Sequence, residues 1–247
     1  MYHNLDPAKI VATVALLRDR IRERFPDSSL GRLAEDFVGV AAVAGPESEW
    51  LARPNQWLRG LNVALILLFL AVLGSILLNL RLSLRVDGIS DFLQALDAGL
   101  NSLILLGGGI LFLFTLEVRR KRRRALKRIH ELRSLAHIVD MHQLTKDPER
   151  LRRGLPDLPS SPKRSLSGAE LTRYLDYCGE MLSLIGKVAA VYVQQYDDPV
   201  VLSGVDQVED LTTGLSRKIW QKIMIIDRGQ DPLRDAPGDG RATPSGS

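Results

Sequence analysis

The sequence predicts an all-α membrane protein: a two-helix transmembrane hairpin with a cytosolic helical bundle that includes a long antiparallel helical hairpin. Three observations point there. Between Arg59 and Arg81 lie 21 consecutive uncharged residues, and between Asp97 and Glu117 lie 19. Directly after the second run, Arg119–Arg128 (RRKRRRALKR) holds eight cations in ten residues. Elsewhere apolar residues recur at spacings of three and four, the period of a helix with one buried face. Averages over the 247 residues (45% hydrophobic, 25% charged, net +4) conceal this division.

The N-terminal part, residues 1–49, reads as two cytosolic helices. Asp6-Pro7 is a cap followed by proline at the first helical position. Ile10, Val14, Leu17 and Ile21 then fall on one face, and Phe25-Pro26 ends the helix. Asp27 or Ser28 caps a second helix expected to reach about Val43, after which AGPESEWLARPNQW reads as a linker to the bilayer. MYHNLDPAKI has no basic region followed by an apolar one, so no cleaved signal peptide is expected.

Residues 50–118 form the transmembrane hairpin, with spans at 61–80 and 98–118 joined by an outer loop, 81–97. A helix rises ~1.5 Å per residue, so about 20 apolar residues cross a hydrocarbon core of ~30 Å. The helices of a soluble protein rarely stay uncharged on all sides for that length. The loop carries two Arg against three Asp, whereas the other end of the second span carries the arginine cluster. The positive-inside rule therefore places both termini in the cytoplasm; the protein is expected to be multi-pass in an inner membrane, of plasma or thylakoid type. Leu80–Val86 (LRLSLRV) alternates like a strand before an Asp87-Gly88 turn signal, and Ser90-Asp91 can cap the helix that becomes the second span. Trp50 and Trp57 are placed for an interfacial aromatic belt. Gly74, Asn101, Gly107, Gly108 and Gly109 are the candidates for span packing, because lipid supplies neither hydrogen bonds nor a hydrophobic drive for helix pairing.

After the second span, residues 119–147 continue as a basic helix whose stripe is Leu126, Ile129, Leu132, Ala136 and Val139. Residues 148–167 are a linker with four prolines. Ser167 and Glu170 make a capping-box pattern that opens the antiparallel helical hairpin, 168–228. Its first arm carries a heptad, coiled-coil-like seam of Leu171, Leu175, Cys178, Leu182, Ile185, Ala189, Tyr192 and Tyr196. Asp197-Asp198-Pro199 turns the chain, and the return arm carries Val201, Val205, Val208, Leu211, Leu215, Ile219, Ile223 and Ile226. Residues 229–247, rich in Pro, Gly and Asp, are expected to be a disordered tail.

Charge is localised. The hairpin holds six basic and nine acidic residues, so the chain is basic only beside the membrane. Arg119, Arg120, Lys121, Arg122, Arg123, Arg124, Lys127 and Arg128 are the candidate contacts to anionic lipid headgroups. The acidic turn Asp197-Asp198 is expected to return towards them. Cations held against a bilayer, with no interleaved aromatic residues, argue against nucleic acid as partner.

Reactive chemistry is sparse. On a helix His137 and Asp140 share a face and are the weak metal candidates, but two ligands do not make a site. The single Cys178 lies on the seam as a small core residue and precludes an intrachain disulfide. With no Gly-rich phosphate loop, Cys-x-x-Cys pair or nucleophile elbow, neither a catalytic residue nor a cofactor is expected.

The strings HELRSLAHIVDMHQLTKDPER, RYLDYCGEMLSLIGKVAAVYVQ and EDLTTGLSRKIWQKIMI, with NLDPAKI and RERFPDSSLG near the start, resemble a family of bacterial, chiefly cyanobacterial, membrane proteins. The resemblance implies the same two-span plan with cytosolic helical domains, and it transfers no activity and no functional residue. The function expected is that of a non-enzymatic membrane scaffold whose cytosolic helices self-assemble as a homo-oligomer or dock a protein partner. The alternative is a small channel-like or effector assembly gated by those helices.

Overall fold

The computed structural model describes residues 4–83, 89–144, 146 and 166–230, and all the regular structure among them is helical. Among the described residues six helices follow one another: α1 Pro7–Arg24, α2 Ser29–Ala52, α3 Gln56–Ser83, α4 Ile89–Leu144, α5 Gly168–Val191 and α6 Pro199–Gln230. The chain divides into two compact units, one of residues 1–48 with 128–247 and one of residues 49–127.

In the first unit, local signals start the helices where the sequence places them. Asp6 accepts from the amides of Ala8 and Lys9, with Pro7 opening α1. The Ser28 hydroxyl accepts from Gly31 N–H at 3.0 Å and so caps α2. Asp27 instead takes a left-handed backbone, φ 59°, in the turn between the helices, a conformation Asp tolerates better than most residues. At α5 both halves of the capping box form, and at α6 Asp198 Oδ1 accepts from Val200 and Val201 N–H.

Two helix ends differ from expectation. α2 does not stop near Val43 but runs through Pro46 to Ala52. Proline costs the helix one donor and a steric clash, and here Ala44, Glu47 and Ser48 are buried around it, with Ser48 Oγ donating to the Val191 carbonyl at 2.9 Å. Tertiary packing thus carries the helix past a local breaker. α5, in turn, ends at Val191 rather than near Asp197. The amides of Tyr192 and Val193 reach back only three residues, to Ala189 and Ala190, which tightens the last turn. The buried seam therefore stops at Tyr192, and Tyr196 is half-buried beyond it.

Most of the core is what the periodicity implied, but Leu126 and Leu211 are half-buried, and Thr212 is buried beside the α6 seam. Val14, Leu17 and Ile21 of α1, Leu30 and Phe37 of α2, and Leu132, Ala136 and Val139 of α4 are buried. So are Leu175, Cys178, Leu182 and Ile185 of α5, and Val201, Val205 and Val208 of α6. α5 packs chiefly on α6 and then on α1. Arg20 fixes the α1 contact with a two-pronged ion pair to Glu180, at 2.7 and 3.1 Å, and with its guanidinium 5.1 Å from the centre of the Tyr177 ring. Lys222 Nζ of α6 donates to the Gln143 carbonyl at the end of α4 at 2.8 Å.

In the second unit the apolar side chains lie outside. α3 and α4 each contain a stretch long and apolar enough to cross a membrane, with mean hydropathy 2.8 and 1.9 over 18-residue windows. Leu105 is 80% exposed and Ile104 73%. α3 extends to Ser83 and α4 begins at Ile89, so Arg81–Ser83 is helical and not strand-like, and Ser90 and Asp91 lie inside α4 instead of capping it. The Asp87-Gly88 turn, nearly all of the 148–167 linker and the 231–247 part of the tail lie outside the described residues.

Candidate functional site

An open groove of about 850 Å³ runs along α5 and α6 in the first unit. Its α5 wall presents Gly179, Ser183 and Gly186, small residues beside the buried seam. Gly186 brings the helices close, since a Cβ there would meet Thr212 Oγ1 at 3.4 Å. On the α6 wall, Glu209, Thr213 and Arg217 follow one another every fourth residue, on successive turns of one face. Glu209 and Arg217 make no ion pair among the described residues, and Trp220 stands at the groove 62% exposed. Asp176, also on the lining, is half-buried beside Arg173, and desolvation pushes its carboxyl above the usual range despite that cation. Sequence reasoning missed Glu209, Thr213, Arg217 and Trp220. The available signal was a tryptophan just off the α6 seam, beside polar Thr213, Ser216 and Arg217.

The basic segment divides between the two units. In the first, Arg128 is held between Glu47 and Glu131, each at 3.1 Å, and these pairs keep the guanidinium more firmly protonated than usual. Beside them Tyr192 is buried with a phenol pushed up to about 12 by desolvation. The turn after α5 thus starts at the Arg128 end of this unit, while Asp198 spends Oδ1 on capping α6. In the second unit, Arg119, Arg120, Arg123 and Arg124 are exposed, and Lys121 pairs with Glu117 at 3.3 Å. Arg122 is half-buried, and Lys127 is exposed.

The two tryptophans proposed as anchors have different surroundings. Trp57 is 76% exposed, whereas Trp50 is half-buried with the Arg124 guanidinium 4.2 Å from its ring centre. Of the packing candidates, Gly74, Gly107, Gly108 and Gly109 have nothing within 4 Å of an added Cβ, and Asn101 is exposed. The close approach of α3 and α4 falls at Gly99, which sequence reasoning passed over: a Cβ there would lie 2.8 Å from Ile76 Cδ1.

His137 is exposed and Asp140 is half-buried, its carboxylate accepting from the Gln143 amide. Among the described residues no cluster of three or more His, Cys, Asp or Glu could hold a metal ion. His142 lies 3.3 Å from Ser29 Oγ; burial, then Lys146 and Arg32, hold its imidazole below the usual range. Cys178 is buried, with a thiol pushed up to about 12, and is held as the unreactive thiol. Comparison with protein-family models, curated proteins and solved structures finds no match.

Proposed function

We propose that this chain is a non-enzymatic, two-span inner-membrane protein with both termini cytoplasmic, and that its helical unit assembles with a second copy through the α5–α6 groove. The groove carries the reading: it combines small residues that admit another helix, an exposed tryptophan and a charge pattern that is its own complement. If α6 of a second copy lies antiparallel with Thr213 opposite Thr213, Glu209 of each copy faces Arg217 of the other. That pairing needs no other partner, and a two-fold interface requires such self-complementarity. Trp220 supplies the kind of large, rigid aromatic that dominates interface energetics. Against the membrane, the arginine-rich segment adds attraction to anionic headgroups.

The test is the mass of the intact complex in mild detergent, for the native chain and for two variants. The native chain is expected as a dimer or higher even assembly. Glu209→Arg places four cations at the interface and is expected to weaken association at least about tenfold, and Glu209→Arg with Arg217→Glu is expected to restore it. A monomeric native chain, or an assembly indifferent to Glu209→Arg, overturns the reading.

A further inference from the structure

A second cavity, of about 340 Å³, lies wholly within the unit of residues 49–127, where α2 ends, α3 begins and α4 leaves its apolar stretch. The bend that forms it is tightly specified. Pro54 follows the end of α2, and Asn55 caps α3 by accepting from Trp57 and Leu58 N–H at 3.2 and 3.5 Å. The Asn55 amide donates to Glu117 Oε1 of α4 at 3.0 Å. Glu117 is paired with Lys121, whose Nζ also donates to the Arg53 carbonyl at 2.8 Å. The one carboxylate on the lining is thus committed to Lys121 and a backbone amide. Arg53 reaches the lining while pairing with exposed Glu49 at 3.1 Å, and Arg120 reaches it with no ion pair among the described residues. Trp50 walls one side, and Leu58 leads from the cleft into the apolar stretch of α3.

Depth is the second, independent observation. The first uncharged run starts at Gly60 and the second ends at Leu116. Both lie within about two helical turns of the cleft residues, the level at which headgroup phosphates sit when these runs fill a ~30 Å hydrocarbon core. A guanidinium fork matches phosphate geometry, and an indole prefers this boundary because one end is apolar and the other polar.

We propose that this cleft binds the phosphate of an anionic phospholipid, with Arg120 as its main ligand, Arg53 as the second cation and Trp50 as the wall, while the acyl chains run down α3 past Leu58. The site rests on the reading that α3 and α4 span a bilayer. Binding here holds one lipid at a fixed place, which the diffuse field of the other arginines does not.

The experiment uses the full chain in mild detergent, titrated with short-chain phosphatidylglycerol, phosphatidylcholine or inorganic phosphate, with bound lipid read by native mass spectrometry. One phosphatidylglycerol molecule per chain is expected to survive transfer, with phosphatidylcholine bound at least about tenfold more weakly and inorganic phosphate competing poorly. Arg120→Gln is expected to lower phosphatidylglycerol affinity about tenfold. Arg119→Gln, the same loss of charge one residue away and off the lining, is expected to change it less than about twofold. Equal losses in the two variants, or equal binding of phosphatidylcholine, overturn the site. Competition by inorganic phosphate at matching concentration assigns the cleft to a free anion and overturns the lipid. Extraction of the chain from vesicles by alkaline carbonate overturns the membrane reading itself, an outcome separate from failure of the site in an inserted chain.

Discussion

The two units contain the same kind of residue in the same kind of helix and arrange it oppositely. In the unit of residues 1–48 and 128–247, Leu132, Leu175, Leu182 and Ile185 are entirely enclosed by other helices. In the unit of residues 49–127, Leu67, Leu105, Leu111 and Phe112 point away from the protein. Burial of apolar area drives the first arrangement, because water is the medium it escapes. Under the proposed membrane reading the second faces lipid, a medium as apolar as leucine, where association depends on close packing instead. What differs is the breadth of the apolar surface: a stripe is covered by one neighbouring face, and an all-round apolar surface needs apolar surroundings on every side.

Paired substitutions sharpen that contrast. The largest effect is expected at the seam, where Leu182→Ala removes an enclosed side chain and costs about 2–5 kcal/mol. Leu105→Ala, on an exposed face of α4, is expected to change unfolding by less than about 0.5 kcal/mol. Unfolding midpoints in one detergent compare the two, and equal shifts break the distinction. Next is Gly99→Val, which forces Ile76 Cδ1, Cγ1 and Cγ2 to move together, since all three lie within 3.4 Å of an added Cβ. About 1–3 kcal/mol of overpacking is expected, against none within the chain for Gly108→Val. Denaturation titrated with sodium dodecyl sulfate measures both, and a larger loss at Gly108 would move the span contact to the triple glycine.

The smallest effect is a pH dependence confined to the first unit. The neutral imidazole of His142 is favoured in the fold, mainly by burial. Its contribution is therefore complete above the unfolded value near 6.5 and is lost as pH falls through the lower folded value. His142→Gln is expected to flatten the slope of stability between about pH 7 and 5, as read from urea midpoints. An unchanged slope removes His142 from that balance.

Much of the fold was legible because its signals are local. Asp6, Ser167 with Glu170, and Asp198 cap helices through groups two or three residues away, and such contacts are encoded by spacing. The seam residues from Leu171 to Tyr192 are buried for the same reason: period alone puts them on one face. The passage of α2 through Pro46 was not legible, because the breaker is local and what overrides it is the burial of Ala44, Glu47 and Ser48 against distant chain. The groove was hidden likewise, since Gly186 and Thr212 lie 26 residues apart in sequence.

By itself, then, the sequence determined where α1, α2, α5 and α6 begin, which helices are apolar all round and where the positive charge accumulates, since each follows from residues within a few turns of one another. The tertiary structure decided which glycine lets α3 and α4 meet, that Trp50 lies under Arg124, that Arg128 is taken by Glu47 and Glu131, and that Arg53 and Arg120 share a cleft with Trp50. These are choices among several chemically equivalent residues. Local composition cannot separate one glycine or arginine of a cluster from its neighbours, and only the register of one helix against another does so.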